Sequence, residues 1–225
     1  MNIATIVLSA GKGTRMNSDI PKVLHEVLGK EIILWSNEVI KNFENKFFVI
    51  GHQHELVKGY ISNDSQTVVQ EEQLGTGHAL SVVFNDENFL TDIYDYVLVI
   101  PGDVPLIKEK ILNSLISKVV TSKASIGFVV ASVKEPFGYG RVIVDKEDNI
   151  TKIVEERDAS KEEKKINLIN SGIYCFDYEF IKNHIEKLSD TNKQKEFYLT
   201  DLIELGFNKK EKILVVESSE VSIMG

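Results

Sequence analysis

What most constrains the fold of this chain is an alternation: apolar runs of strand length recur between stretches of helical period, the pattern of an α/β sheet. Strands are expected at residues 3–8, 46–50, 66–70, 95–100 and 125–133, and helices at 32–43, 53–61, 77–84 and 108–121. The 108–121 stretch, KEKILNSLISKVVT, carries its apolar residues at helical spacing. The first half therefore reads as a parallel, doubly wound core. After about residue 133 the pattern changes. "RVIVDKEDNITKIVEE" is two alternating runs around a polar turn, a hairpin, and "INSGIYCF" is a further strand. Helices follow at 178–187 and 199–207, then a last strand at 212–217. The second half is thus an α+β extension on the same sheet. No Pro/Ser-rich linker and no internal repeat divides the halves, so residues 1–225 are expected to form one domain. The charge run "DASKEEKK" (158–165) is taken as a solvated surface segment with no further role.

Composition narrows the partners. An apolar fraction of 43% supplies a core, and a net charge of −8 argues against broad nucleic-acid or anionic-membrane binding, which need a positive field over a wide face. An anionic ligand must then be met locally. The N-terminal apolar run is short, lacks a basic leader and breaks at Gly11, so it is a buried strand and not a signal peptide. No stretch approaches transmembrane length. The single cysteine, Cys175 in "GIYCF", excludes an intrachain disulfide and reads as a buried, inert thiol. A cytoplasmic location is expected.

In open α/β sheets ligands lie beyond the carboxyl ends of the strands, so each strand end is a candidate. The first is followed by "LSAGKGTRMNSDIPK" (8–22). The P-loop spacing fails there, because Gly13 follows Gly11-Lys12 and Ile6 stands at the first glycine's position. The dinucleotide fingerprint fails at Met16. What remains is a glycine-rich, basic loop in which Gly11 and Gly13 allow backbone N–H groups close to an anion, with Lys12, Arg15 and Lys22 alongside. The third strand ends in "QEEQLGTGHA" (70–79), where Gly75 and Gly77 flank Thr76 before a helix. The fourth ends in "IPGDVP" (100–105), which sets Asp103 at the sheet's mouth, a carboxylate suited to Mg²⁺ beside phosphate. Together these loops read as a nucleotide site. Each also has a plainer role: a tight strand-to-helix connection, turn glycines, a loop aspartate that caps. His52 and His54 in "GHQHE" have no third ligand nearby and are assigned no chemistry.

At these residues the chain resembles a known family. "LSAGKGTRM" with "PKVLHEVLGK" is similar to the signature of the sugar-phosphate nucleotidylyltransferases. "EEQLGTGHA", "GDVPLI", "GYGRV", "IVEERDA", "INSGIY" and "EFYLTD" resemble, in order and spacing, the UDP-N-acetylglucosamine pyrophosphorylases, most narrowly the N-terminal uridylyltransferase half of the bacterial bifunctional enzyme that also acetylates glucosamine 1-phosphate. The fold so implied is Rossmann-like, α/β, with nucleotide binding in 1–133 and an α+β sugar-binding part in 134–225. The implied activity transfers the uridylyl group of UTP to N-acetylglucosamine 1-phosphate with release of pyrophosphate, for cell-wall precursor synthesis. Leu8, Ala10, Gly11 and Gly13 would bind the nucleotide, with Arg15 at the pyrophosphate and Lys22 on the phosphates as catalytic groups. Gln73, Gly75 and Thr76 would recognise uracil, Asp103 would hold Mg²⁺, and Gly140, Glu155, Asn170 and Thr200 would bind the amino-sugar phosphate. Read alone, Gly140 is a hairpin turn, Glu155 a solvated strand-end charge and Asn170 a turn former.

Such a transfer needs no protein nucleophile, because the sugar phosphate is itself an anionic nucleophile; positioning and charge neutralisation suffice. The chain departs from the family where a second metal ligand, an asparagine just beyond "SSEVSIMG", and the hexapeptide repeats of the acetyltransferase β-helix would follow. A trimer built through that domain is the expectation for a full-length form. A milder departure is Pro101, which stiffens the loop before Asp103. The alternatives are a nucleotidylyltransferase for glucose 1-phosphate or for thymidine nucleotides, and a UTP-binding module without turnover.

Overall fold

The computed structural model describes residues 1–11, 13, 16, 18–219 and 223. Its centre is a nine-stranded sheet built from β1 (Ile3–Leu8), β4 (Lys46–Ile50), β5 (Gln66–Val69), β6 (Tyr96–Pro101), β7 (Ile126–Ser132), β8 (Arg141–Val144), β9 (Ile150–Val154), β10 (Leu168–Asp177) and β11 (Ile213–Glu217). The order is β11-β7-β10-β6-β1-β4-β5, with β8 paired to β10 and β9 to β8. Pairs β1/β4, β1/β6, β4/β5 and β7/β11 are parallel. β10 runs antiparallel to both of its long neighbours, β6 and β7. The "INSGIYCF" strand thus belongs to the middle of the sheet.

The central strands are buried on both faces, and their side chains alternate between two apolar layers. Ile6, Phe47, Val49, Val99, Phe128 and Phe176 meet α3 (Thr76–Phe84), α5 (Tyr178–His184) and α6 (Asp201–Asn208). Val7, Phe48, Ile50, Leu98, Val129 and Cys175 meet α1 (Ile32–Val39), α2 (His54–Lys58) and α4 (Glu109–Ser122). In α4, Ile111, Leu112, Leu115, Ile116 and Val119 form the buried stripe; each such fully buried side chain contributes about 1.5–3 kcal/mol. Cys175 is fully buried, which pushes its thiol up to about 12.

Several expected elements are shorter. The helix expected at 32–43 ends at Val39, and that at 53–61 shrinks to His54–Lys58. Gln53 is left-handed (φ 53°) and so stands outside the turn, and Gly59 follows it. A small hairpin, β2 (Glu26–Val27) with β3 (Lys30–Glu31), escaped the sequence reading. Its turn residues, Leu28 and Gly29, both have positive φ (56° and 74°), the geometry a two-residue hairpin turn needs. A leucine in that position gives no signal. Among the described residues, no helix is long and apolar enough to cross a membrane.

β1 is the switch point: α1 leads to β4 on one side, while α3 leads from β5 back across to β6 on the other. The crevice beyond its carboxyl end is the place where this topology puts a ligand.

Candidate active site

A cavity of about 560 Å³ opens at that crevice, within the size range of small-molecule sites. After β1, Leu8, Ala10, Gly11 and Gly13 form one wall. A Cβ on Gly11 would meet nothing within 4 Å, so this backbone is bare toward open space. Gly13 is different. Its φ is 64°, and a Cβ there would stand 2.7 Å from the Lys22 Cβ. Gly13 therefore lets the loop fold back on Lys22. Arg15, the other expected catalytic cation, lies outside the described residues.

Lys22 reaches across to the end of β6. Its Nζ donates to Asp103 Oδ2 at 2.5 Å, with both side chains about one third exposed (34% and 36%). Asp103 Oδ1 has no hydrogen-bond partner among the described residues. Gly102 supports this loop: its N–H donates to the Leu8 carbonyl at 2.8 Å, and a Cβ on it would lie 2.1 Å from Ser9 Oγ. Ser9 is itself buried and its hydroxyl has no partner among the described residues.

The loop after β5 is held from both sides. Gln73 Nε2 donates to the carbonyls of Gln70 (2.8 Å) and Glu71 (3.2 Å), which fixes the amide, and its oxygen has no partner among the described residues. Gln70 Nε2 donates in turn to the Gly75 carbonyl at 3.2 Å and lies 2.9 Å from His78 Nδ1. From the other side, segment 196–200 docks on it. The Phe197 N–H donates to the Leu74 carbonyl and the Gly77 N–H to the Phe197 carbonyl, both at 2.7 Å. The Leu199 N–H donates to Thr76 Oγ1 at 3.1 Å.

The same segment turns its alternate residues to the second half of the chain. Thr200 Oγ1 donates to Glu155 Oε1 at 3.1 Å, and the Tyr198 hydroxyl donates to Asp158 Oδ2 at 3.0 Å. Burial, reinforced by the carboxylates of Asp201, Asp158 and Glu196, pushes the Glu155 carboxyl above the usual range against the Thr200 hydrogen bond. Asn170 Nδ2 donates to the Tyr174 hydroxyl at 2.6 Å. The β10 register shifts between Asn170 and Tyr174, around Gly172 (φ 81°), and this irregularity bends Asn170 and Gly172 into the cavity wall.

Gly140, Glu155, Asn170 and Thr200 thus line the same cavity as Leu8, Ala10, Gly11, Gly13, Lys22, Gln73, Gly75, Thr76 and Asp103. Glu155 is not the solvated charge that its strand-end position suggests. The 158–165 run also differs from expectation: Asp158 accepts from Tyr198 and from the Lys193 N–H (2.9 Å), and Lys164 pairs with Glu156 at 3.2 Å. Sequence reasoning missed Ser9, Gln70, Tyr139, Tyr174 and Glu196 as wall residues. All five stood in stretches already singled out, Ser9 in "LSAGKGTRM", Gln70 in "QEEQLGTGHA", Tyr139 in "GYGRV", Tyr174 in "INSGIY" and Glu196 in "EFYLTD", but no local signal told them from their neighbours. Among the described residues no group of three or more His, Cys, Asp or Glu gathers to hold a metal, which leaves Asp103 as the carboxylate beside the basic loop.

Comparison with known proteins agrees with this geometry. The family model described as "Nucleotidyl transferase" matches residues 4–220. The chain is 40% identical over 219 residues to the Bifunctional protein GlmU of Fervidobacterium nodosum, covering 96% of this chain and 47% of that protein. It is 45% identical over 208 residues to the Bifunctional protein GlmU of Prochlorococcus marinus, covering 89% and 44%. The chain spans about half the length of the curated relatives it matches. Its fold is that of a solved structure described as a glucose-1-phosphate thymidylyltransferase from Bacillus anthracis, with a TM-score of 0.71, 20% identity and coverage of 96% of this chain and 87% of that one. With the match running from the first strand to beyond the last, the chain belongs to the nucleotidyl transferase family.

Proposed function

We propose that the chain transfers the uridylyl group of UTP to N-acetylglucosamine 1-phosphate, forming UDP-N-acetylglucosamine and pyrophosphate. One observation carries the reading. A single cavity joins a glycine-rich, lysine-bearing loop and a locked glutamine amide to the Lys22–Asp103 pair, a buried carboxylate and an asparagine.

The free oxygen of Gln73 accepts a hydrogen bond from the N3–H of uracil, an atom that in cytosine is an acceptor and would be repelled. The backbone of Ala10, Gly11 and Gly13, bare toward open space at Gly11, faces the nucleotide, and Lys22 neutralises its phosphates. Gly140, Glu155, Asn170 and Thr200 hold the sugar, as the family resemblance implies. Attack by the sugar phosphate oxygen on the α-phosphorus forms one P–O bond and breaks the bond to pyrophosphate, so no protein nucleophile is consumed. The residues supply alignment and positive charge where two anions meet. Arg15 joins Lys22 in that role.

Asp103 fits a magnesium ion: a carboxylate whose second oxygen has no partner among the described residues, next to the Lys22 ammonium, is the kind of donor that Mg²⁺ takes, with phosphate oxygens and water completing its shell. When bound, the ion supplies charge neutralisation at the phosphates. The substrates are the partners this reading requires, and a cytoplasmic location is part of it. Trimer formation belongs to a longer form carrying an acetyltransferase half.

The test is pyrophosphate release with UTP, Mg²⁺ and N-acetylglucosamine 1-phosphate, beside glucose 1-phosphate, dTTP and CTP. Release confined to UTP with the N-acetylated sugar is expected. Faster release with glucose 1-phosphate or dTTP would reassign the specificity, and UTP binding without release from any pair would reduce the chain to a binding module.

A further inference from the structure

Arg141, at the start of β8, is the largest fully buried side chain among the described residues, 2% exposed. A guanidinium leaves water only where a counter-ion and hydrogen bonds meet it. Its Nη2 donates to Glu156 Oε2 at 2.7 Å, and its Nη1 donates to the Tyr139 carbonyl. Glu156 Oε2 also accepts the Gly138 N–H at 3.2 Å, and Lys164 lies 3.2 Å from its other oxygen. Burial works to raise the Glu156 carboxyl, and these donors outweigh it and hold it below the usual range. The buried Arg141 and the partly buried Glu156 thus clasp a C=O and an N–H of one short loop, 138–140, all of which lines the cavity.

Two more of the loop's backbone groups are also committed. The Tyr139 N–H donates to the Pro136 carbonyl at 3.2 Å, and the Gly140 carbonyl accepts from the Asn170 N–H at 2.9 Å. Of its three N–H groups, only that of Gly140 has no partner among the described residues. A Cβ on Gly140 would stand 2.9 Å from Ile153 Cγ2 and 3.4 Å from both Glu155 carboxylate oxygens, so this bare backbone lies directly beside Glu155.

The geometry points to Arg141 as a positioning residue for the sugar 1-phosphate: through Tyr139 and Glu156 it fixes segment 138–140 so that the free Gly140 N–H faces an acceptor oxygen of the sugar beside Glu155. The inference rests on the reading of the cavity given above. Only arginine's planar fork spans a carbonyl and a carboxylate together; lysine keeps the charge and loses one arm.

The experiment is steady-state kinetics of Arg141→Lys and Glu156→Gln, with Lys152→Met on the same hairpin as control, joined to backbone amide exchange at Gly138 without substrate. In Arg141→Lys the KM for N-acetylglucosamine 1-phosphate is expected to rise about tenfold, with the KM for UTP within about twofold and kcat within about threefold. Glu156→Gln keeps an acceptor for Gly138 and should show a smaller rise of the same kind. A parallel rise in both KM values, or no change in either, overturns the proposal. If Arg141→Lys does not fold, Glu156→Gln decides it: an unchanged sugar KM is fatal. If the wild-type chain turns over no N-acetylglucosamine 1-phosphate, the functional reading has failed, and amide exchange then judges the clasp alone. Faster exchange at Gly138 in the variant sustains it, and unchanged exchange removes it.

Discussion

The carbonyl oxygen of Phe197 stands 2.6 Å from where a Cβ on Gly75 would be. Gly75 also has a φ of 106°, a region that side-chain-bearing residues rarely adopt. Two residues more than a hundred positions apart thus meet by backbone contact in the Gly75 wall of the cavity.

Gly75→Ala should therefore cost about 1–3 kcal/mol from strain alone, and should raise the KM for UTP as the loop shifts. Thermal melting and substrate titration check this. A variant that melts like the wild type and keeps its KM would show that segment 196–200 yields freely.

Lys22→Ala should lower kcat by about 100-fold or more, with a smaller change in the KM for UTP, if the ammonium acts on charge that develops in the transition state. A change confined to KM would reassign Lys22 to ground-state binding. Asp103→Asn should raise the Mg²⁺ concentration needed for half-maximal rate. An unchanged Mg²⁺ titration would remove Asp103 from the metal site.

Gln73→Ala removes the oriented amide oxygen, and the preference for UTP over CTP should narrow by about tenfold. Equal loss with both nucleotides would mean that the amide supports the loop and does not read the base.

Asp201, in the first turn of α6, has its carboxyl pushed up to about 6 by burial, with Glu204 and Asp158 adding to the effect. Because the folded value lies above the unfolded one, this group's contribution is fully present below about pH 4 and is lost as the pH rises through about 6. Asp201→Asn should therefore match the wild type in Tm near pH 4 and exceed it near pH 7. Melting curves across that interval test the sign; a constant difference would discard it.

The strand ends were legible because apolar runs and glycine breaks are local. Described residues of the loops after β1, β5 and β6 share one cavity because these strands run parallel, with β4 between β1 and β5, and end on the same side of the sheet. The place of β10 was not legible: a strand buried on both faces carries no alternation that names its neighbours or its direction. Glu155 was misread without the resemblance because its hydrogen-bond partner, Thr200, lies forty-five positions later in sequence. Arg141 escaped notice for a related reason, since nothing local distinguishes a buried arginine from a surface one at a hairpin start.

The placement of β10 also governs how the chain must fold. Until residue 177 is available, β6 and β7 each present an unpaired edge in the middle of the future sheet. The N-terminal half cannot close its own sheet, and a late, long-range antiparallel insertion completes it. Chains with such non-local pairing fold slowly and expose sticky edges on the way. During synthesis, the interval between β7 and β10 is when a nascent chain of this protein is most in need of a chaperone.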